Sequence, residues 1–476
     1  MEILKGLEYK ILKKSDIAKT YDGVAYNSKE VLSNYIFVAI KGFKEDGHNF
    51  INEAISKGAT LIVTEKDIEI KENVTLVLVK DSREALSIIS SNFYNWPQKS
   101  LNLIGVTGTN GKTTTAFLIY KSLDDSAFIG TIGIFLRDKE IKTNLTTPES
   151  LDLIKIFKRC LEEGIKYVAM EVSSHSLVLK RVHNLEFKIA IFTNLTDDHL
   201  DFHKTMDSYF EAKSIIFNKI SKDGHLLINK DDSSYLKIIE KIKNIKTFSK
   251  YEGNLVGKIE GYENEKSKII LKYNNQEYYL STPLLLDFNL YNIMAAFYSL
   301  VLLNVNNIKE IIEKLENIKE INGRLNLISK NNKKVIVDFA HSPDSIEKVC
   351  KGLKEIFKHV ILVFGAGGER YKEVRARFAS SAAKYADKII ITSDNPRGEP
   401  LKDILDDLEN GLKSVKYSNY IRIEDRSEAI KYAIKGASND EIVLVAGKGH
   451  QNYELVNGIK EEFNEKEIIE KALNEL

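Results

Sequence analysis

Residues 105–115 read Gly-Val-Thr-Gly-Thr-Asn-Gly-Lys-Thr-Thr-Thr. They follow an apolar run over 101–106 and open a helix-like stretch that ends near Leu123. A strand, a glycine turn, a lysine and a hydroxyl residue at a helix start leave the backbone few options. The turn has to aim its N–H groups past the end of the strand, where the helix N-terminus adds partial positive charge. Such a loop holds a polyphosphate, so the chain is expected to take ATP as its energy source. The spacing is a variant. The common form has a glycine five residues before Gly111; here that position is Val106, and Gly105 falls one residue too early.

With 476 residues the chain is long enough for three domains of ordinary size. Its hydrophobic content of 43% allows sizeable cores. Basic and acidic residues balance at 69 to 68, which leaves no electrostatic case for nucleic acid or an anionic membrane as partner. The lysine-rich stretch 347–358 carries interspersed glutamates and reads as a solvated helix face. Cys160 and Cys350 are the only cysteines and make neither a disulfide framework nor a paired metal site. Residues 1–14 lack a signal-peptide core, and no apolar run nears the length of a membrane span. A soluble cytoplasmic protein is expected.

No repeat or low-complexity segment divides the chain, so boundaries come from changes in pattern. Residues 1–98 hold strands over 35–40, 60–64 and 74–79 and helices over 51–57 and 82–94. Beyond the phosphate loop, strands over 167–172, 188–193 and 225–228 alternate with helices, which indicates a mostly parallel sheet. Segments 257–261, 269–273 and 277–280 lie between Asn-rich turns and read as antiparallel ribbons, followed by a helix over 289–303. Strands over 335–339, 360–364, 388–392, 420–423 and 442–445 then alternate with helices over 345–357, 374–385, 401–412 and 427–435, a five-stranded doubly wound unit. The expected fold class is α/β with three domains. A small α/β unit spans 1–98, a central phosphate-loop ATPase with a mostly parallel sheet spans 99–325, and a Rossmann-like doubly wound unit spans 326–476. Ligands in such sheets sit beyond the carboxyl ends of the strands. Glycine and polar clusters lie there at 340–344, 365–370, 394–397 and 447–450.

Several clusters carry possible chemistry. Glu171 ends a strand, where a carboxylate near nucleotide phosphates suits Mg²⁺, although a lone loop acid is as often merely solvated. Asp197, Asp198, His199 and Asp201 could serve metal or phosphate, or simply cap a helix. Lys213 reads as an ordinary helix-surface lysine. In Asp394-Asn395-Pro396-Arg397, Asp accepts from ammonium groups and Arg grips carboxylate with two prongs, which together suit an amino acid. An Asx-Pro turn with an exposed Arg fits the same residues.

Taken in order, further segments make a pattern: Thr107–Thr115, Thr146-Thr147-Pro148-Glu149, Glu171–His175 with Arg181-Val182, 193–203, 209–213, 288–292, Gly323-Arg324-Leu325, 338–344, 365–370, 394–397 and 447–450. Through them essentially the whole chain resembles the Mur ligases, ATP-dependent amino-acid ligases of peptidoglycan precursor synthesis. Within that family it is similar to the branch that adds the third residue to a UDP-N-acetylmuramoyl-dipeptide.

The resemblance implies site roles. Gly108, Thr109, Asn110, Gly111, Lys112, Thr113, Thr114, Asn292, Arg324, Asp338 and His341 would meet ATP. Thr113, Glu171, His199 and Lys213 would hold Mg²⁺, Lys213 as a carbamate that replaces its positive charge by a carboxylate-like group. Lys112, Lys213, His199 and Glu171 would carry the catalysis. Ser28, Thr146, Thr147, Ser173 and Arg181 would hold UDP-MurNAc-L-Ala-D-Glu. Arg370, Asp394, Asn395, Pro396, Arg397, Gly447 and Gln451 would hold the incoming amino acid. The implied reaction phosphorylates the D-Glu γ-carboxylate, and an amine then attacks the acyl phosphate. The enzyme is expected to work as a monomer.

The Asp-Asn-Pro-Arg form is typical of relatives that add meso-diaminopimelate. Arg397 could bind the distal carboxylate of that amino acid, whereas it would repel the ammonium that ends lysine. Some positions depart from the family pattern. Asn27-Ser28-Lys29 stands for Asp-Ser-Arg, Leu179 for a frequent Gln, and Asp197 for a basic or neutral residue. Gln451 stands for a Glu that contacts the distal amino group of diaminopimelate. The loss of that charge admits a close analogue such as lanthionine, or a relaxed specificity. Rival readings are a ligase of the same branch that uses L-lysine, a folylpolyglutamate synthase-like ligase, and a phosphate-loop switch that hydrolyses nucleotide without ligating.

Overall fold

The computed structural model describes residues 2–16, 20–43, 45–369 and 372–476. Three sheets follow one another along the chain, and each is parallel in its interior. The reason lies in the strand sequences. Leu61, Ile62 and Val63, or Ile389, Ile390 and Ile391, are apolar at successive positions and fully buried on both sheet faces. Uninterrupted runs of this kind belong to sheets covered by helices on both sides.

The first sheet has five strands. Thr75–Val79, Ala59–Thr64, Tyr35–Val38 and Gly23–Ala25 run parallel, and Tyr9–Lys13 closes one edge antiparallel to Thr75–Val79. The second sheet has eleven strands. Its interior is parallel from Ser126–Gly130, through Tyr167–Glu171, Asn102–Thr107, Phe187–Phe192, Ile220–Asn229 and Lys246–Ser249, to Leu255–Glu263. Antiparallel pairs extend both edges. Gly133–Leu136 and Lys139–Ile141 form one, and Lys266–Tyr273 and Gln276–Thr282 form the other.

The segments expected as separate ribbons are therefore part of this sheet. Leu255 and Val256 pair in parallel with Phe248 and Ser249 before the antiparallel turns begin. The third sheet has six strands rather than the expected five. Asn326–Lys330 doubles back antiparallel on Lys333–Asp338 across a tight turn at Asn331 and Asn332, both with positive φ. That short strand is only half-buried, so its apolar signal is weak.

Register decides where the site lies. Phe192 is level with Thr107, and Glu171 with Val106. The turns after all three strands therefore meet at one sheet edge. In the third sheet Asp338, Phe364 and Ile391 are level with Ala446, Ala446 and Phe364. The loops beginning at 339, 365, 392 and 447 consequently share one rim, as the sequence pattern indicates. The helix Lys112–Ser122 packs against Asp287–Leu303, and both are buried around most of their circumference. That is why their residues show little amphipathic contrast.

Candidate active site

The phosphate loop explains its own glycine spacing. Gly108 has φ +142° and Gly111 has φ +84°, values that L side chains rarely adopt. A Cβ at Gly108 would overlap Thr193 Oγ1, and one at Gly111 would overlap Asn292 Oδ1. Gly105 has another task. It lies inside the strand Asn102–Thr107, where a Cβ would come within 2.7 Å of the Phe187 ring. The loop is fastened to its neighbours on the rim: Asn110 N–H donates to Asn194 Oδ1 at 2.9 Å, and Thr193 Oγ1 donates to Asn110 O at 2.6 Å.

This loop lines a cavity of about 520 Å³. Of the residues expected around nucleotide and metal, Thr109, Asn110, Gly111, Lys112, Thr113, Thr114, Glu171, His199, Lys213, Asn292, Arg324, Asp338 and His341 all line it. Gly108 contributes its carbonyl, which accepts from Lys112 Nζ at 3.0 Å and from Lys213 Nζ at 2.7 Å. Burial pushes the Lys112 ammonium and the Arg324 guanidinium below their usual ranges, Arg324 also repelling Lys112. Arg324 Nη2 donates to Thr113 Oγ1 at 3.0 Å, while its guanidinium lies 4.6 Å from the Phe339 ring centre. Facing these cations are Glu171 and Asp198. Glu171 is 1% exposed and is held by Thr131, whose N–H donates to Oε1 at 2.7 Å and whose hydroxyl donates to Oε2 at 3.2 Å. Asp338 has both oxygens taken up, one by the N–H of Leu325 and one by that of Ala340. It thus shapes the 338–341 loop.

Lys213 corrects its reading as a surface lysine. It is 1% exposed, on the helix Met206–Ser214, and stacks over the Tyr209 ring at 4.4 Å. Burial, reinforced by Lys112, pushes its amine well below the usual lysine range. His199 has positive φ, and its ring lies 5.0 Å from that of His175. Burial lowers its pKa to about 4. Among the described residues, no group of three or more His, Cys, Asp or Glu side chains could hold a metal ion. An ion here would need oxygens from a bound phosphate or from a modified Lys213. The hard oxygen donors Thr113 and Glu171 fit Mg²⁺ in that arrangement.

A second cavity of about 110 Å³ adjoins the first, with Phe339 and His341 lining both. Of the residues expected to hold the amino acid, Asp394, Asn395, Arg397, Gly447 and Gln451 line it. Pro396 packs behind it, its carbonyl filling the space a side chain at Gly368 would need. Arg370 lies outside the described residues. Asn395 Nδ2 donates to Gln451 Oε1 at 3.0 Å, so the Gln that replaces a family Glu is tied into the loop. Lys448, fully buried, lies 3.4 Å from Asp394 and donates to Asn395 Oδ1 at 3.3 Å.

The residues expected to hold the UDP substrate are more dispersed. Thr146 and Ser173 line the larger cavity, whereas Thr147 and Arg181 stand behind its wall. Arg181 donates to Glu149 at 2.9 Å and to Thr147 O at 3.0 Å, and Arg83 of the first unit also reaches Glu149. Ser28 belongs to the first unit, 5% exposed and donating to Glu53 at 2.8 Å, and lines neither cavity.

Three stretches of the chain match models of known protein families. Residues 20–94 match the Mur ligase family catalytic domain, 106–300 the Mur ligase middle domain, and 323–449 the Mur ligase glutamate ligase domain. A Fusobacterium nucleatum protein is 42% identical, the match covering 99% of this chain and 98% of that one. The chain belongs to the Mur ligase family. It is therefore an ATP-dependent ligase that forms amide bonds. The Fusobacterium relative is named UDP-N-acetylmuramoyl-L-alanyl-D-glutamate–2,6-diaminopimelate ligase. So is one from Caldanaerobacter subterraneus, 40% identical over 100% of this chain and 99% of the relative. A solved structure of a ligase with that name, 27% identical, superposes with a TM-score of 0.68 over 97% of both chains. A folylpolyglutamate synthase from Thermotoga maritima, 17% identical with a TM-score of 0.60, shares the fold over 76% of this chain and 89% of its own.

The Mur ligase cavity also contains residues the sequence did not single out. Asp231 accepts from the Tyr291 hydroxyl at 3.0 Å on the cavity wall, next to Asn229. Asn229 ends the strand Ile220–Asn229 and Asp231 lies two residues beyond it, so the strand-end rule applied elsewhere could have found them. Thr131 had no such signal, because the strand before it, Ser126–Gly130, was not recognised.

Proposed function

We propose that this ligase joins meso-diaminopimelate, or a close analogue, to the D-Glu γ-carboxylate of UDP-MurNAc-L-Ala-D-Glu. One observation carries the reading. A cavity where Lys112 and Arg324 converge on the phosphate loop shares a wall with a smaller one lined by Asp394 and Arg397. The first suits a polyphosphate, and the second suits a molecule with an ammonium and a carboxylate. The relatives' names support the same pair of substrates. In this reading residues 1–98 take the UDP end, 99–325 take ATP and 326–476 take the amino acid. The enzyme acts as a cytoplasmic monomer.

The substrate carboxylate oxygen attacks the γ-phosphorus of ATP and the bond to ADP breaks. An amine nitrogen of the amino acid then attacks the acyl carbon, phosphate leaves, and the nitrogen loses a proton. Lys112 and the loop N–H groups from Gly108 to Thr114 neutralise the moving charge, and such transfer depends on positioning and electrostatics. Arg324 and Asn292 orient the nucleotide, and Asp338 holds the loop of His341 against it. Thr113, Glu171, His199 and Lys213 would hold Mg²⁺, which when bound shields phosphate oxygens. The depressed proton affinity of Lys213 favours a free amine, the form that adds CO₂ to give a carbamate. Thr146, Thr147, Ser173 and Arg181 flank the acceptor peptide, with Ser28 toward the UDP end. Asp394 takes the ammonium, Arg397 and Arg370 the carboxylates, and the backbone at Pro396 and Gly447 shapes the pocket around Asn395.

Gln451 lacks the charge of the family Glu, so lanthionine stands beside diaminopimelate as a substrate. The test is to incubate the enzyme with ATP, Mg²⁺ and UDP-MurNAc-dipeptide, offer diaminopimelate, lanthionine and L-lysine separately, and identify products by mass. Tripeptide with either of the first two is expected. Product with lysine alone would overturn the reading.

A further inference from the structure

Residues 447–451 leave the strand Glu441–Ala446 as Gly-Lys-Gly-His-Gln. Two neighbouring side chains there make different contacts. Gln451 lines the smaller cavity and accepts from Asn395. His450 lines neither cavity, and packs instead on Phe339, which lines both. The His450 ring faces the backbone of Thr131, the residue whose N–H and hydroxyl hold both oxygens of Glu171. Its Nδ1 is buried with no hydrogen-bond partner among the described residues. The His450 ring lies 5.0 Å from the Phe339 ring, and Phe339 carries Arg324, which bonds Thr113. The backbone is equally close: a side chain at Gly323, next to Arg324, would overlap the His450 N–H.

One imidazole therefore contacts the supports of both Glu171 and Arg324, while its chain neighbour touches the amino-acid loop. Burial lowers its pKa to about 3, so it is neutral at working pH. We propose that His450 is a positioning residue that couples the two cavities, so that occupancy of the amino-acid cavity sets Glu171 and Arg324 in the phosphate cavity. This inference rests on the assignment of the two cavities made above. Coupling between binding sites is reciprocal, so it can be read from binding alone, without turnover.

The experiment measures the Kd of ADP with Mg²⁺ by calorimetry, with and without saturating diaminopimelate, in wild type and His450 variants. In wild type diaminopimelate should change the ADP Kd by about fivefold or more, the lower end of ordinary coupling. His450→Leu should bring that factor to about 1 while each ligand alone still binds. His450→Gln should retain most of the coupling, because its planar amide can take the same place beside Thr131 and Phe339. His450→Ala serves in place of His450→Leu if the latter does not fold. A leucine or alanine variant with the wild-type factor would overturn the proposal, as would a wild-type factor of 1. Failure of wild type to form tripeptide product would instead strike the assigned ligase substrates.

Discussion

Lys112 and Lys213 place two amines on the single carbonyl of Gly108. Burial lowers the proton affinity of each, Arg324 adds to the cost of charging Lys112, and Lys112 adds to that of Lys213. A polyphosphate between the loop and Arg324 removes that conflict. Lys112→Ala should lower ATP-dependent ligation by about 10²–10³-fold, the loss seen when one preorganised donor at developing charge is removed. Phosphate release measured with all substrates present checks this; a loss below tenfold would take the lysine out of the mechanism. A second expectation concerns pH. His203 is 7% exposed, its Nε2 lies 2.9 Å from Ser174 Oγ, and burial lowers its pKa to about 4. The unfolded chain binds that proton near pH 6.5 and the folded one only near 4, so the stabilisation is complete above 6.5 and lost as pH falls toward 4. Urea midpoints should therefore fall less steeply between pH 6.5 and 4 in His203→Gln than in wild type. None of this was visible for Lys213 in the pattern Tyr-Phe-Glu-Ala-Lys. Helical spacing tells which residues share a face, but not that neighbours cover the face opposite the core.

The loop Asp394–Arg397 is the element whose shape the sequence did not foretell. Asn395 and Arg397 both have positive φ, at 45° and 58°. Left-handed backbone costs an L residue about 1–2 kcal/mol, so something has to hold it. The hairpin Tyr453–Val456 and Ile459–Glu462 does. Arg397 N–H donates to Leu455 O at 2.8 Å, and Leu455 N–H donates to Asn395 Oδ1 at 2.9 Å. Below the loop Arg426, fully buried, bonds Glu465 at 2.7 Å, Ser393 O at 3.0 Å and Ala446 O at 2.8 Å. It thereby ties the ends of two strands that carry the amino-acid residues. Arg426→Leu leaves Glu465 buried and unpaired and should cost about 3–5 kcal/mol, read from denaturant midpoints. Adding Glu465→Leu should restore much of that loss. The strands beneath were evident from their apolar runs. The hairpin was not, since its four half-buried or exposed residues per strand carry little burial pattern.

Across the molecule, polar contacts join the three units where reactants would meet. Tyr26 of the first unit donates to Asp152 of the second at 2.8 Å. Between the second and third, Asp344 accepts from Asn110 Nδ2 and from Thr196 Oγ1, each at 3.1 Å, and Arg377 pairs with Asp197 at 3.0 Å. The family-atypical Asp197 thus has a partner on the opposite unit. Asp344 stands at the start of the helix Pro343–Ile356, so the third unit rests directly on the phosphate loop. Asp344→Ala should loosen this contact and raise the radius of gyration of the nucleotide-free protein, measured by small-angle scattering. An unchanged profile would show that the units are held together elsewhere.

The residue pattern alone dictated the phosphate loop, the alternation of strands and helices, and the loops that carry polar residues. Each of these depends on neighbours in sequence, through backbone preference and helix or strand periodicity. Only folding in three dimensions decided that Lys213 is buried, that Phe339 and His341 separate two cavities, and that Thr131 and His450 meet. Those facts rest on strand order and on the packing of one unit against another. Contacts between residues hundreds of positions apart leave no local mark on either segment.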